Sequence, residues 1–259
     1  MQNNKIEQRS RWFFYFAMIW LVYRFWGNTL FSQLAEPVLA FPSIDNTFWL
    51  FHVLNIPAFI SQHQFVATIF DLLLFFFPIL FIKTQNKWFA VAYTLLITTY
   101  HIVFATYAAH HFHSLMGLII ISITFWTADE ARHQRLWEAA RYYFLFVMAS
   151  AALWKLFRGA PFQSDQMVNI LKAQHAQYFA EHGPSGLSHF YQYLIQNNAI
   201  AQGFYWLAIV LELAFLVGFF TKKWDKLLLF FFFAFIITNY FVMGIFSFEL
   251  SIFGILLWL

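Results

Sequence analysis

Residues 141–158 read Arg-Tyr-Tyr-Phe-Leu-Phe-Val-Met-Ala-Ser-Ala-Ala-Leu-Trp-Lys-Leu-Phe-Arg, an apolar run of membrane length that carries one lysine, Lys155, near its end. At helical spacing Met148, Ala152, Lys155 and Gly159 fall on one face. The small residues Ala149, Ser150, Ala151 and Ala152 keep that face thin, so a neighbouring helix can approach closely. Two readings of Lys155 are open. It snorkels its ammonium to the water interface, or it is partly buried and serves as a base.

Composition sets the solvent. The chain of 259 residues is 61% hydrophobic and 10% charged, with 38 Phe, 12 Tyr and 11 Trp. A water-soluble domain cannot bury that much apolar surface, so most of the chain is expected to lie in lipid. There is no cysteine, which excludes disulfides, thiol nucleophiles, cysteine-bound zinc and Fe–S clusters. The first apolar run is bulky, contains Arg24 and lacks a small-residue cleavage site, so it reads as a retained helix and not a signal peptide. No repeat or low-complexity linker divides the sequence. One integral membrane domain over 1–259 is expected.

The pattern of apolar runs predicts an all-α polytopic bundle of about eight spans: about 11–27, 62–82, 88–108, 113–128, 141–158 and 200–220, with two more in 227–259. Gly244, Ser247 and Glu249 divide the last run. Its final piece is too short to cross a bilayer, since twelve residues from Phe248 rise only about 18 Å. Of the 15 Lys and Arg, Lys5, Arg9, Arg11, Lys83, Lys87, Arg132, Arg135, Arg141, Lys222, Lys223 and Lys226 fall on one side of these spans. Arg158 and Lys172 fall in the opposite loops, with Arg24 and Lys155 near helix ends there. The positive-inside rule then places the N-terminus in the cytoplasm and Lys155 at the outer face. A bacterial inner membrane is the expected location.

Segment 159–199 reads as an amphipathic helical pair at the outer face. Ser164 is expected to cap a helix whose Met167, Ile170, Leu171 and Tyr178 share a face. Gly183-Pro184-Ser185-Gly186 stops it, and Leu187, Phe190, Tyr191 and Leu194 suggest a second short helix. The pair either lies on the membrane surface or covers a cavity.

Polar groups inside spans point to a cavity or to partners. Asp71, His101, Glu212, Asn239 and Glu249 are such groups. His110, His111 and His113 invite a metal. Three histidines at one helix–loop junction, with no matching carboxylates, favour instead an acid–base or hydrogen-bonding His113, one turn from Gly117. No metal is expected.

Three segments in order resemble the horizontally transferred transmembrane domain family, and within it the membrane domain of vitamin K-dependent gamma-glutamyl carboxylases. They are His113-Ser-Leu-Met-Gly117-Leu118, then Phe146-Val-Met-Ala-Ser-Ala-Ala-Leu-Trp-Lys155-Leu156, then Asn239 followed by Met243-Gly-Ile-Phe-Ser-Phe248. The likeness runs over about 60–255. It implies Lys155 as the base that deprotonates a reduced, vitamin K-like quinone, with oxygen and CO2 as co-substrates and His113 as acid–base partner. It implies Asn239, His110 and Trp154 at the quinone. The implied partners are the lipid bilayer, the quinone and a peptide or protein at the outer face, with no nucleic acid. Departures stand beside this likeness. The family's Trp-containing segment after the lysine is replaced by Phe157-Arg158-Gly159-Ala160-Pro161, Ile236 and Ile237 stand where a histidine is expected, and the family's lumenal domain has no counterpart before Leu259. Carboxylation, quinol oxidation or epoxidation, and a non-catalytic membrane subunit or DoxX-like maturation factor all remain open readings.

Overall fold

The computed structural model describes residues 4–34, 53–107 and 115–259, and every described element is helical. In chain order these are α1 (Asn4–Trp26), a 3-10 turn (Phe31–Gln33), α2 (Ile56–Gln62), α3 (Gln64–Thr84), α4 (Lys87–Tyr107) and α5 (Met116–Ile123). They continue with α6 (Glu130–Phe157), α7 (Gln166–Glu181), α8 (Gly186–Gln196), α9 (Asn198–Ala214), α10 (Val217–Phe220), α11 (Asp225–Met243), a second 3-10 turn (Phe248–Phe253) and α12 (Gly254–Trp258). Among the described residues, Gln64–Thr84, Asn198–Phe220 and Asp225–Met243 are long and apolar enough to cross a membrane. Only 22%, 28% and 22% of their most apolar windows is buried inside the protein. The remainder is half-buried or exposed, and lipid is the solvent that suits so apolar a surface. This is a helical protein with candidate membrane-spanning helices.

The chain divides into two compact units, one built from 1–140 with 248–257 and Leu259, the other from 141–247 with Trp258. In the first, an aromatic core draws Phe13 and Phe14 of α1, Phe81 of α3, Tyr93 of α4 and Phe125 into edge-on and tilted contacts. Edge-to-face packing suits the ring quadrupole. Asp71 lies in the third turn of α3. Its carboxylate accepts hydrogen bonds from the backbone N–H of Phe31 at 3.0 Å and Ser32 at 2.9 Å. It therefore caps the first 3-10 turn, satisfying donors that a helix start leaves free. Glu249 pairs with Arg24 at 2.5 Å, both buried, and the guanidinium also lies over the Phe104 ring at 4.5 Å. Each of these buried charges has found its counter-charge.

In the second unit the thin face of α6 does what small residues allow. Ala149 and Ala152 are buried, and Ala152 packs in a core with Met167, Leu171, Ala201, Tyr205, Ile209 and Val242. Gly159 does not extend that face, because the helix ends at Phe157 and Gly159 turns into the left-handed region at φ 67°.

Several expectations change. α6 is one helix of 28 residues, so Arg132, Arg135 and Arg141 belong to it and not to a preceding loop. Its first turns are rich in charge, but His133, Trp137 and Ala140 give them a buried face, with Trp137 packed against the Phe125 ring. Arg141 is buried, not an interfacial loop charge. Ser164 does not cap α7. The N-cap is Asp165, and Ser164 Oγ instead donates to Asp165 Oδ1 at 3.2 Å. Ser185, read as part of a helix stop, is itself a cap for α8: its hydroxyl accepts from Ser188 N at 3.2 Å while Ser188 Oγ accepts from Ser185 N at 2.7 Å. The reciprocal pair is a capping box built with serine in place of the usual Glu or Gln. The final apolar stretch, Phe248–Trp258, is a short helix, as its length required.

A candidate cavity built around Lys155 and Glu212

The second unit holds a cavity of about 220 Å³. Four helices line it: α6 through Lys155, α7 through Met167 and Ile170, α9 through residues from Phe204 to Leu211, and α11 through residues from Phe235 to Met243. Most of the lining is aliphatic or aromatic. Its polar groups are Lys155, Tyr205, Thr238 and Asn239. A mostly apolar wall with a few fixed polar groups is the usual form of a small-molecule site.

The last turn of α11 sets one wall. Gly244 takes φ 65°, which closes the helix in a left-handed cap, and its N–H donates to Tyr240 O at 2.9 Å. Only glycine adopts this turn without strain. Asn239, Val242 and Met243 are thereby held on the final turns before the break. His175 of α7 fastens the neighbouring wall. It is buried, its Nε2–H donates to Val242 O at 2.9 Å, and its ring stacks on Tyr191 of α8 with centroids 3.6 Å apart. A carbonyl can only accept, so Nε2 carries the hydrogen. His175 lies outside the candidate spans. Burial holds its pKa below the ordinary histidine value, with the hydrogen bond to Val242 opposing that shift.

Lys155 does not stand alone. Its Nζ donates to both carboxylate oxygens of Glu212, at 2.6 and 2.7 Å. Glu212 is the more deeply buried partner, its side chain 3% exposed against 29% for Lys155. Glu212 lies 14 residues beyond Asn198, about 21 Å along α9. The lysine head therefore turns inward along the bundle, toward a buried carboxylate. The cavity takes in Lys155, and Glu212 is not among its lining residues.

The residues singled out in the sequence separate here. Lys155 and Asn239 line the same cavity. Trp154 does not line it: its side chain is largely exposed and lies under the Arg158 guanidinium at 4.6 Å. Outward from the bundle at the same helix end, it is placed as interfacial tryptophans commonly are. His110 and His113 lie outside the described residues, as does His111. Among the described residues no group of three or more His, Asp or Glu is arranged to hold a metal ion. Two participants went unassigned in the sequence. Glu212 was visible as an intramembrane charge, and an opposite charge near another span end was the signal for its partner. His175 follows Met167 and Leu171 at intervals of four, which puts it on the buried stripe of α7.

Compared with protein-family models, with curated proteins and with solved structures, the chain matches none.

Proposed function

We propose that this is a multi-pass membrane enzyme, resembling the carboxylase-like membrane domains of the horizontally transferred transmembrane domain family, that takes a quinol in the cavity of the second unit. Lys155 is its base and Asn239 its polar anchor. One observation carries the reading: two residues singled out separately, 84 positions apart by their numbers, Lys155 and Asn239, line one apolar cavity. The donor set fits such a ring. An apolar wall accepts a flat aromatic body, while Nζ, the Asn239 amide and the Thr238 hydroxyl offer hydrogen bonds at its oxygens. The Lys155–Glu212 pair is neutral overall, so the cavity suits a neutral phenolic group better than a carboxylate or phosphate. When bound, the quinol supplies the reducing equivalents for oxygen.

The topology that accompanies this reading has eight spans, a cytoplasmic N-terminus, α7 and α8 at the outer face, and a bacterial inner membrane. A peptide or protein substrate, if carboxylation is the outcome, approaches from that outer face. Oxygen uptake and quinone epoxide formation on adding reduced quinone to purified protein are the test. Lys155→Arg keeps the charge and the pairing with Glu212, but a guanidinium does not give up its proton. The expected result is uptake by the wild type and loss in the variant. Undiminished activity in the variant overturns the role of Lys155. The ion pair also favours a second reading, in which it serves packing alone in a non-catalytic membrane subunit; no uptake with any quinol tried selects that one.

A further inference from the structure

We propose that the proton taken from a ligand in this cavity comes to rest on Glu212, with Lys155 serving as the relay and then as the counter-ion. The inference rests on the reading that the cavity binds a phenolic ligand. It follows from three features of the geometry. Nζ is at hydrogen-bond distance from both Glu212 oxygens, Lys155 lines the cavity, and Glu212 does not. Nζ is thus the cavity group hydrogen-bonded to the carboxylate, and the path a proton leaving the cavity would take to it.

The balance of bonds gives each residue its part. One of the N–H bonds directed at Glu212 breaks first, as an O–H bond forms on its carboxylate, and this leaves Nζ with a lone pair. The ligand O–H bond then breaks as a new N–H bond forms at that lone pair. Lys155 ends as it began, an ammonium with three N–H bonds. Glu212 ends as a carboxylic acid, and the ligand ends as a phenolate held against the ammonium. Total charge is unchanged, and the neutral amine exists only between the two transfers, beside the carboxylic acid it has just protonated. The buried position of Glu212 matters here, because a carboxylic acid tolerates an apolar setting far better than a carboxylate without a partner does. The basicity thus belongs to Glu212, and Lys155 supplies the path and the attraction. Glu212 is in this sense a positioning and proton-holding residue, acting on the ligand through Lys155.

The assay uses the full chain in nanodiscs with 2-naphthol, which is neutral in water at pH 7 and whose naphtholate absorbs at longer wavelength. Two readouts are taken: the naphtholate band, and the C=O stretch of a protonated carboxyl in infrared difference spectra. Wild type is expected to give both. Glu212→Gln is expected to bind naphthol yet lose the carboxyl band and about tenfold or more of the naphtholate. Lys155→Arg is expected to lose both signals, because its guanidinium does not relay. Should the glutamine variant fail to accumulate, Glu212→Asp decides: the carboxyl band shifts in frequency if position 212 holds the proton, and an unmoved band overturns the proposal. Naphtholate retained in Glu212→Gln makes the amine itself the base, which overturns the proposal and leaves the cavity reading standing. No binding of naphthol by wild type overturns both.

Discussion

The guanidinium of Arg141 is seated on the carboxylate of Asp225, 84 residues further along the chain, with Nε 2.9 Å from Oδ2 and Nη2 2.5 Å from Oδ1. Nη2 also donates to Gly218 O at 3.1 Å. This fork ties the middle of α6 to the start of α11 and to α10. Arg141→Ala leaves a largely buried carboxylate without its cation, and breaking such a pair costs about 3–5 kcal/mol. Arg141→Lys is expected to recover only part of that loss, since one ammonium cannot reproduce the planar fork. Thermal unfolding in detergent should rank wild type above the lysine variant, and the lysine variant above alanine. Equal midpoints for the two variants would discount the fork geometry.

Gly117 is a contact position in the first unit. A Cβ there would lie 2.6 Å from Ile252 Cγ2 and 3.1 Å from the Phe253 ring. Both neighbours are buried, one branched at Cβ and one a rigid ring, so neither yields easily. Gly117→Ala should destabilise by about 1–3 kcal/mol, with Gly117→Val worse. A midpoint unchanged by alanine would show that Phe248–Trp258 repacks freely.

The proposed topology puts α7 and α8 at the outer face. Gly183 is a clean reporter, because a side chain added there meets nothing within 4 Å and the chain contains no cysteine of its own. In spheroplasts, Gly183→Cys should react with a membrane-impermeant maleimide added outside. Reaction only after the membrane is opened would invert the orientation.

His175 gives the packing of α7 on α11 a pH dependence. Its folded pKa is lowered by burial, so the unfolded state takes up a proton first as pH falls. The stabilisation is fully present above about pH 6.5 and is lost as pH drops from there through the folded value. Hydrogen exchange in α7 should accelerate in that window for wild type, and the acceleration should vanish in His175→Gln. A wild-type profile flat from neutral to mildly acidic pH would remove the histidine from that role.

The helical class and the three strongest spans were legible because apolar runs of bilayer length have few other uses. Segment boundaries at 159–199 were legible from Gly and Pro. What escaped was partnership. Lys155, Arg141, Arg24 and Asp71 could be read in the sequence only one at a time, with no partner named for any of them. Each is one half of a contact whose other half lies far along the chain, and periodicity within one helix says nothing of which neighbouring face meets it. The helix starts failed for a related reason. Ser164 and Ser185 have equal capping propensity, and the surrounding turn decides which hydroxyl reaches a free N–H. The resemblance implied Trp154 at the quinone beside Lys155, yet consecutive residues on a helix point about 100° apart.

The closed charge balance at Lys155 and Glu212 bears on how the protein responds to an energised membrane. Carrying one elementary charge across the membrane potential involves about 2.3 kcal/mol per 100 mV. A solitary ammonium at that depth would couple the cavity to the voltage, favouring one occupancy or one conformation as the potential changed. The pair presents a short dipole, not a net charge. Entry of a neutral ligand would therefore do little electrical work. In the proposed relay, a proton exchange among the ligand, Nζ and the carboxylate would cross only a small part of the potential, so most of any voltage dependence would belong to the step in which the proton departs for one aqueous face.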